Sequence, residues 1–224
     1  MKVLILWTYG GSKRPEAAFT SDFIQAEKAL LIADDLEKTG RLKNIEFKDE
    51  VGTTWNKKEL KKLLTKIEEE PQDVTVYFDG GYQKENGRTG IGIVIYYRQG
   101  KKEWRVRKNL SLSEILSNNE AEYAACYEAV NQLQELGVHH QKVRIKGDSQ
   151  VVLNQLSGEW PCFEEELNRW LDRIEAKIEQ LGIIPEYEHV PRKENHEADK
   201  LATQALNGES ITSALLLTEE EGDK

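Results

Sequence analysis

The chain has 224 residues, which allow one large domain or two small ones with enough residues to bury a sizeable core. No apolar run is as long as a membrane span, and the apolar start at residues 1–7 is too short for a signal peptide core, so we expect neither insertion into a membrane nor secretion. The net charge of −9 falls on residues 71–224, because residues 1–70 carry equal numbers of acidic and basic side chains. This acidity counts against binding to a polyanion unless acidic side chains converge on divalent cations. Cys126 and Cys162 are the only cysteines, and their spacing fits neither a metal site nor a redox site, so we expect reduced packing residues in a cytoplasmic protein.

Residues 1–70 are predicted to form a small α+β domain. Strands are expected at residues 2–9 and 17–20, with a turn at residues 10–12, and a further strand is expected at residues 42–48. Apolar periodicity predicts one helix that ends at Gly40 and a second that Asn56 and Glu59 open as a capping box. The second helix carries lysines on its polar face, which we expect to be solvated, with contact to phosphates as the alternative; they are Lys57, Lys58, Lys61, Lys62 and Lys66.

The stretch Val74–Gly81 predicts a buried strand that ends at a carboxylate, Asp79, followed by Gly80 and Gly81. Desolvating an acid at the end of a core strand is costly unless it is paired or holds a cation. The two glycines allow the backbone to turn and allow a close approach by another group. Taken alone, this stretch favours an Asx turn that opens a hairpin over a metal ligand, and the metal interpretation depends on the carboxylates further along the chain.

The remaining predicted elements, up to residue 206, are both strands and helices. Strands are predicted at residues 91–97, 103–110, 143–145 and 184–190, and Gly90 and Gly92 indicate a bulge or a close backbone approach in the first of these. Ser117 and Glu120 form a capping box at the start of a helix that runs to Gly137. Further helices are predicted at residues 150–156, 164–181 and 195–206, and residues 211–224 are expected to be an acidic, flexible tail.

Four carboxylates occupy comparable places along these elements. Asp79 and Asp148 each end a predicted strand, while Glu122 and Asp199 each lie near the start of a helix. In a sheet covered by helices, two strand ends and two helix starts can meet at one point. Mg²⁺ prefers such oxygen ligands, and two ions about 4 Å apart would bind the attacking water and the leaving oxygen of a phosphodiester. Without cations, the four acids would raise each other's pKa.

Four motifs in this order resemble those of type 1 ribonuclease H over residues 73–206. The first is the strand that ends at Asp79–Gly81, and the others are Ser117–Tyr123, Gly147–Val152 and His189–Ala202. The resemblance implies an α/β fold, a mixed five-stranded sheet flanked by helices, in a domain of residues 71–210 that follows the small domain. It also implies endonucleolytic hydrolysis of the RNA strand in RNA/DNA hybrids, dependent on two Mg²⁺ or Mn²⁺ ions.

The resemblance also assigns roles to individual residues. Asp79, Glu122, Asp148 and Asp199 would be the catalytic metal ligands, with Glu120 left as the helix cap. His189 would be a catalytic proton shuttle; a structural hydrogen bond at the strand end is the equal alternative. The residues implied to contact the substrate are Gly80, Gly81, Ser117, Asn118, Asn119 and Ser149.

Two departures from the family pattern keep other functions open. The segment Ser157–Glu166 is short and acidic where better-known members carry a basic helix and loop that bind the hybrid. Residues 1–70 also do not resemble the hybrid-binding domain of some members. The alternatives are therefore a nucleic-acid-binding or regulatory protein with weak or no activity, and a nuclease of the same fold that acts on another substrate. The oligomeric state is left open.

Overall fold

The computed structural model describes residues 1–11 and 15–219, so the expectations for residues 12 and 220–224 lie outside the described part of the chain. The chain divides into two compact units, Met1–Glu69 and Glu70–Lys224. No helix within the described residues is both long and apolar enough to cross a membrane.

The first unit is an antiparallel sheet with two helices. Its strands follow the order β2-β1-β4-β5, and the short β3 also pairs with β1. Alternate residues of β1, Val3 and Ile5, are buried with small residues of α1 such as Ala29 and with Leu60 of α2. The elements are β1 (Lys2–Tyr9), β2 (Ala17–Thr20), β3 (Ile24–Gln25), α1 (Ala26–Lys38), β4 (Leu42–Asp49), β5 (Thr54–Trp55) and α2 (Lys57–Glu69).

The capping box predicted for α2 is confirmed by reciprocal hydrogen bonds. The Glu59 amide donates to Asn56 Oδ1 at 2.9 Å, and the Asn56 amide donates to Glu59 Oε2 at 3.0 Å. On the polar face of the same helix, Lys57 contacts Asp34 and Glu37 of α1 rather than standing free.

The second unit is a six-stranded mixed sheet with the order β10-β9-β6-β7-β8-β11. The strands β6, β7 and β8 pair antiparallel, whereas β9 is parallel to both β6 and β10. This confirms a mixed sheet flanked by helices. The elements are β6 (Gln72–Gln83), β7 (Arg88–Gln99), β8 (Lys102–Leu112), α3 (Asn118–Glu135), β9 (Lys142–Gly147), α4 (Gln150–Leu156), α5 (Glu165–Leu181), β10 (Ile184–His189), α6 (His196–Leu206) and β11 (Thr212–Glu219).

The sixth strand corrects the expectation of a flexible tail over residues 211–224. Thr212–Glu219 form β11, which pairs antiparallel with β8, so that Thr212 lies opposite Lys108 and Ala214 opposite Val106. The expectation was based on a tail in which a short apolar run, Ala214–Leu217, is followed by acidic residues. The strand forms because β8 offers an open edge to which the run can hydrogen-bond.

Helices cover both faces of this sheet. Residues of β6 and β7 that alternate along each strand, such as Phe78 and Ile93, are buried with α3 and α5. Val94, on the other face of β7, packs against Ala198 and Leu201 of α6. The glycines in β7 permit this second contact, because a Cβ at Gly92 would overlap the carbonyl oxygen of Ala198. The close backbone approach predicted for this strand is therefore confirmed, and it holds the start of α6 against the sheet.

Candidate metal centre

Strand register places Asp79 and Asp148 side by side. In the parallel pair of β6 and β9, Tyr77 lies opposite Lys146, and each aspartate follows two residues later in its own strand direction. Because parallel strands run in the same direction, both carboxylates lie toward the same end of the two strands. Asp79 is buried and Asp148 is half-buried.

Glu122 approaches the same two aspartates from the first turns of α3, and Gly80 makes this approach possible. A Cβ at Gly80 would overlap the carbonyl group of Ala121 and crowd the amide of Glu122, so the helix can contact the strand only where a side chain is absent. Glu122 thus comes to lie over β6 at Gly80, beside Asp79.

The three side chains form a compact carboxylate cluster. One ligand oxygen from each of Asp79, Glu122 and Asp148 lies within 4.8 Å of the others. In addition, Oε2 of Glu122 is buried without a hydrogen-bond partner among the described residues. A set of hard oxygen donors with an unpartnered buried oxygen is consistent with a metal site.

Burial and mutual repulsion raise the pKa of two of these acids in the metal-free protein. Burial, followed by the charges of Asp148 and Asp199, raises the pKa of Asp79 to about 7. Burial, followed by the charges of Asp79 and Asp148, raises the pKa of Glu122 to about 9, against a lowering effect of a hydrogen bond from the Gly80 backbone. A divalent cation would favour the ionised form of both groups.

Asp199 lies near the cluster but is not one of the three gathered ligands. It is in the first turn of α6, and its Oδ1 accepts a hydrogen bond from Arg192 Nη2 at 2.5 Å. Its charge contributes to the raised pKa of Asp79, which indicates that Asp199 lies close to the carboxylate cluster. The structure therefore brings together three of the four predicted carboxylates and pairs the fourth with an arginine.

Asn195 is a part of this site that sequence reasoning missed. Its side chain is only 1% exposed, and its Nδ2 donates to the Phe78 carbonyl at 2.9 Å and to Asp148 Oδ1 at 3.2 Å. It thereby ties β6, Asp148 and the start of α6 together. Its position before a helix is typical of an N-cap residue, yet its side chain caps nothing, so the sequence signal points to the wrong role.

The residues at the start of α3 act as predicted in capping the helix. Ser117 Oγ accepts a hydrogen bond from the Glu120 amide at 3.1 Å, and Glu120 accepts bonds from the Leu116 amide and the Trp170 indole. Glu120 is thus occupied as a cap. Asn118 Oδ1 accepts from the Tyr82 amide at 3.2 Å and so links α3 to β6.

The other predicted site residues surround the cluster. Gly80 and Gly81 follow Asp79 in β6, Asn119 is half-buried in the first turn of α3, and Ser149 lies at the N-cap of α4 without a capping side-chain bond. His189 ends β10, is exposed, and lies opposite Gly147, the residue before Asp148.

Comparison with known proteins places the second unit in a described family. Residues 77–205 match the family model described as reverse transcriptase-like. An uncharacterized protein of Bacillus subtilis, YpeP, is 48% identical over 195 residues, which cover 87% of this chain and 86% of the relative. Ribonuclease HI of Halobacterium salinarum is 32% identical over 135 residues, covering 60% of this chain and 64% of that protein.

Solved structures show the same fold for this unit. The crystal structure of RNase H1 from Halobacterium salinarum superposes with a TM-score of 0.52 at 28% identity, covering 61% of this chain and 98% of that one. LC11-RNase H1, solved in complex with an RNA/DNA hybrid, gives a TM-score of 0.52 at 25% identity and covers 61% of this chain and 98% of its own. Both matches leave a large part of the present chain, including much of the first unit, without a counterpart.

Proposed function

Because this chain belongs to the reverse transcriptase-like family and has the RNase H fold, we propose that it is a metal-dependent endoribonuclease that hydrolyses the RNA strand of RNA/DNA hybrids. The observation that carries this proposal is the cluster of Asp79, Glu122 and Asp148 within 4.8 Å. A structural neighbour that binds such a hybrid supports the choice of substrate.

In this proposal the three clustered carboxylates hold two Mg²⁺ or Mn²⁺ ions, and Asp199 is the fourth ligand residue. Bound ions would supply Lewis acidity to the attacking water and to the leaving oxygen of the phosphodiester. Asp79 and Glu122 lose their protons as the ions bind, since the cations offset the repulsion that raises their pKa. Asn195 orients Asp148, and Arg192 holds Asp199 at the edge of the site.

His189 is proposed to carry protons between the site and solvent. The alternative was a structural hydrogen bond at the strand end, but its ring has no such partner in the described part of the chain. Its exposed imidazole lies beside the residue that precedes Asp148 and is open to solvent, and imidazole side chains are common proton carriers in enzymes.

Substrate contact is proposed for the backbone and side chains around the cluster. The start of α3 offers amide groups and the positive end of a helix dipole to a phosphate. The proposed contact residues are Gly80, Gly81, Ser117, Asn118, Asn119 and Ser149. We also propose a cytoplasmic location, in keeping with the two free cysteines, Cys126 and Cys162.

One observation favours the alternative of a binding or regulatory protein with weak turnover. The loop between α4 and α5 offers acidic residues, Glu159 and Glu164, where a phosphate backbone would favour cations. This concerns affinity for the substrate, and it leaves the carboxylate cluster untouched.

The decisive experiment incubates the full chain with a labelled RNA/DNA hybrid, double-stranded DNA or double-stranded RNA, each with Mg²⁺, Mn²⁺ or a chelator. We expect cleavage of the RNA strand of the hybrid alone, and only with a divalent ion. Asp79→Asn or Asp148→Asn should abolish it, because each removes a ligand charge.

The matched control is Asp172→Asn, which makes the same chemical change on the exposed face of α5 and should leave the rate unchanged. Binding of the hybrid without cleavage would instead support the regulatory alternative. Full activity of the Asp79 variant would exclude the proposed ligand assignment.

A further inference from the structure

The strand β11 forms one edge of the six-stranded sheet and has no neighbour on its outer side among the described strands. Its residues from Thr212 to Thr218 carry no charge and include no proline. Three consecutive leucines are exposed on it: Leu215 by 50%, Leu216 by 36% and Leu217 by 40%. In the regularly paired part of the strand, Leu215 and Leu216 point to opposite faces, so the strand exposes apolar surface on both.

The opposite edge of the same sheet is protected, which makes the contrast informative. There, β10 contains Pro185, which lacks a backbone donor, and two glutamates. Glu186 pairs with Lys142 at 2.7 Å and Glu188 pairs with Lys146 at 2.8 Å. Charges and proline on an edge strand prevent pairing with another strand. The edge strand β11 has neither charged residues nor proline over Thr212–Thr218.

Hydrogen bonds hold β11 in place, so its outer edge is already ordered. The Ile211 amide donates to Asn109 Oδ1 at 2.7 Å, and the Asn109 amide donates to the Ile211 carbonyl at 3.0 Å. Further along, Thr218 donates to Glu103 at 2.8 Å. The pairing with β8 is regular from Thr212 to Leu216 and shifts register only after that residue. Ordering this segment therefore adds little entropy cost to the addition of another strand.

We propose that β11 pairs antiparallel with β11 of a second copy of this chain, which joins the two sheets into one continuous sheet. A second copy is the occupant that matches, because it offers the same uncharged apolar strand and satisfies the outer backbone groups of both chains through a two-fold axis. The leucines of one copy then cover those of the other. This proposal is independent of the proposed catalytic function.

The test is the mass of the full chain by sedimentation equilibrium at micromolar concentrations, with and without Leu215→Glu. The wild-type chain should have twice the monomer mass of 25.7 kDa, and the variant should have the monomer mass. In the monomer the new carboxylate lies opposite Arg105 of β8, so the variant should fold. Across the two-fold axis it would meet its own copy and repel it.

The matched control is Ile184→Glu, the same kind of change at an exposed position of the opposite edge strand, where the side chain is 58% exposed. It should leave the dimer intact. A wild-type chain that is monomeric at every concentration would overturn the proposal, as would a dimer that survives Leu215→Glu or that dissociates equally with Ile184→Glu.

Hydrogen exchange provides a second measurement if Leu215→Glu does not fold. In the wild-type chain, amides of Thr212–Leu216 should become more protected as the protein concentration rises, while those of β10 should not. Protection of both strands that is independent of concentration would exclude pairing through β11.

Discussion

Asp79 and Glu122 lie where a charge is costly unless a cation is present. Both acids have a higher pKa in the folded chain, about 7 and about 9, than their ordinary values of 3.8 and 4.5. The folded protein therefore holds protons that the unfolded chain has already lost. Unfolding releases these protons, so a rise in pH favours the unfolded state. In the absence of a divalent ion, the proposed metal site therefore lowers the free energy of unfolding as the pH rises.

With respect to these two groups, we expect the metal-free protein to be most stable below about pH 4 and to lose stability steadily as the pH rises toward about 9. Mg²⁺ should raise the unfolding temperature, and the increase should be larger at higher pH because the ions bind the ionised carboxylates. Thermal unfolding across this pH range, with chelator or with Mg²⁺, measures both effects.

Glu122→Gln isolates the contribution of one acid. The amide has no charge to desolvate, so the variant should be more stable than the wild-type chain at pH 8 without metal, by on the order of a few kcal/mol. Glu159→Gln, at an exposed loop position, is the control and should change neither stability nor its pH dependence. A metal-free stability that rises with pH through this range would contradict the assignment.

Asn195 positions Asp148 rather than acting on the substrate. We expect Asn195→Ala to lower kcat for hybrid cleavage about 10- to 100-fold and to raise the Mg²⁺ concentration needed for half-maximal rate, as loss of a partner to a metal ligand does. Cleavage kinetics as a function of Mg²⁺ concentration measure both quantities.

Asn207→Ala, at the exposed C-terminal end of the same helix, is the comparison and should have neither effect. A loss of rate in Asn195→Ala that excess Mg²⁺ does not alter, together with a lower unfolding temperature, would assign Asn195 to structure alone.

At the scale of elements, Asn109 joins β8, the end of α6 and the start of β11. Its Nδ2 donates to the carbonyls of Leu201 and Glu209 at 3.0 and 2.9 Å, and its Oδ1 accepts from the Ile211 amide. The side chain is 5% exposed, so removing it leaves these groups poorly solvated. A single buried side-chain amide thus links β8 to α6 and to the segment that leads into β11.

We expect Asn109→Ala to lower the free energy of unfolding by about 2 to 3 kcal/mol, because three hydrogen bonds to buried or partly buried groups are lost. Urea denaturation measures the change. Asn44→Ala, at an exposed position of β4, is the control and should be close to neutral. An equal effect of the two substitutions would mean that the Asn109 bonds contribute no net stability.

The whole molecule combines two units of different charge. The first unit has a net charge of +1, and the second has a net charge of −10 and contains the carboxylate cluster. Acids gathered for divalent cations account for part of that excess. The remaining acidic residues, such as the glutamates between α4 and α5, would repel a substrate of high negative charge.

Most elements follow from local sequence and were predicted close to their observed bounds. The caps at Ser117 and Asn56 form within a few residues of chain, and apolar periodicity depends only on neighbours three or four positions apart. The sequence also pointed to the three clustered acids, Asp79, Glu122 and Asp148, although the prediction that the strand ends at Asp79 is wrong, because β6 continues to Gln83.

The sequence by itself determined which segments are helices and strands and which carboxylates are suited to a metal. Only the tertiary structure decided that Asn195 contacts Asp148, that Asp199 pairs with Arg192, and that Thr212–Glu219 extend the sheet. The physical reason is the distance in sequence over which the residues interact. Helix caps and apolar periodicity depend on residues a few positions apart. The partners of a buried amide, of a charged side chain and of an open sheet edge depend on which groups folding leaves unpartnered nearby in space.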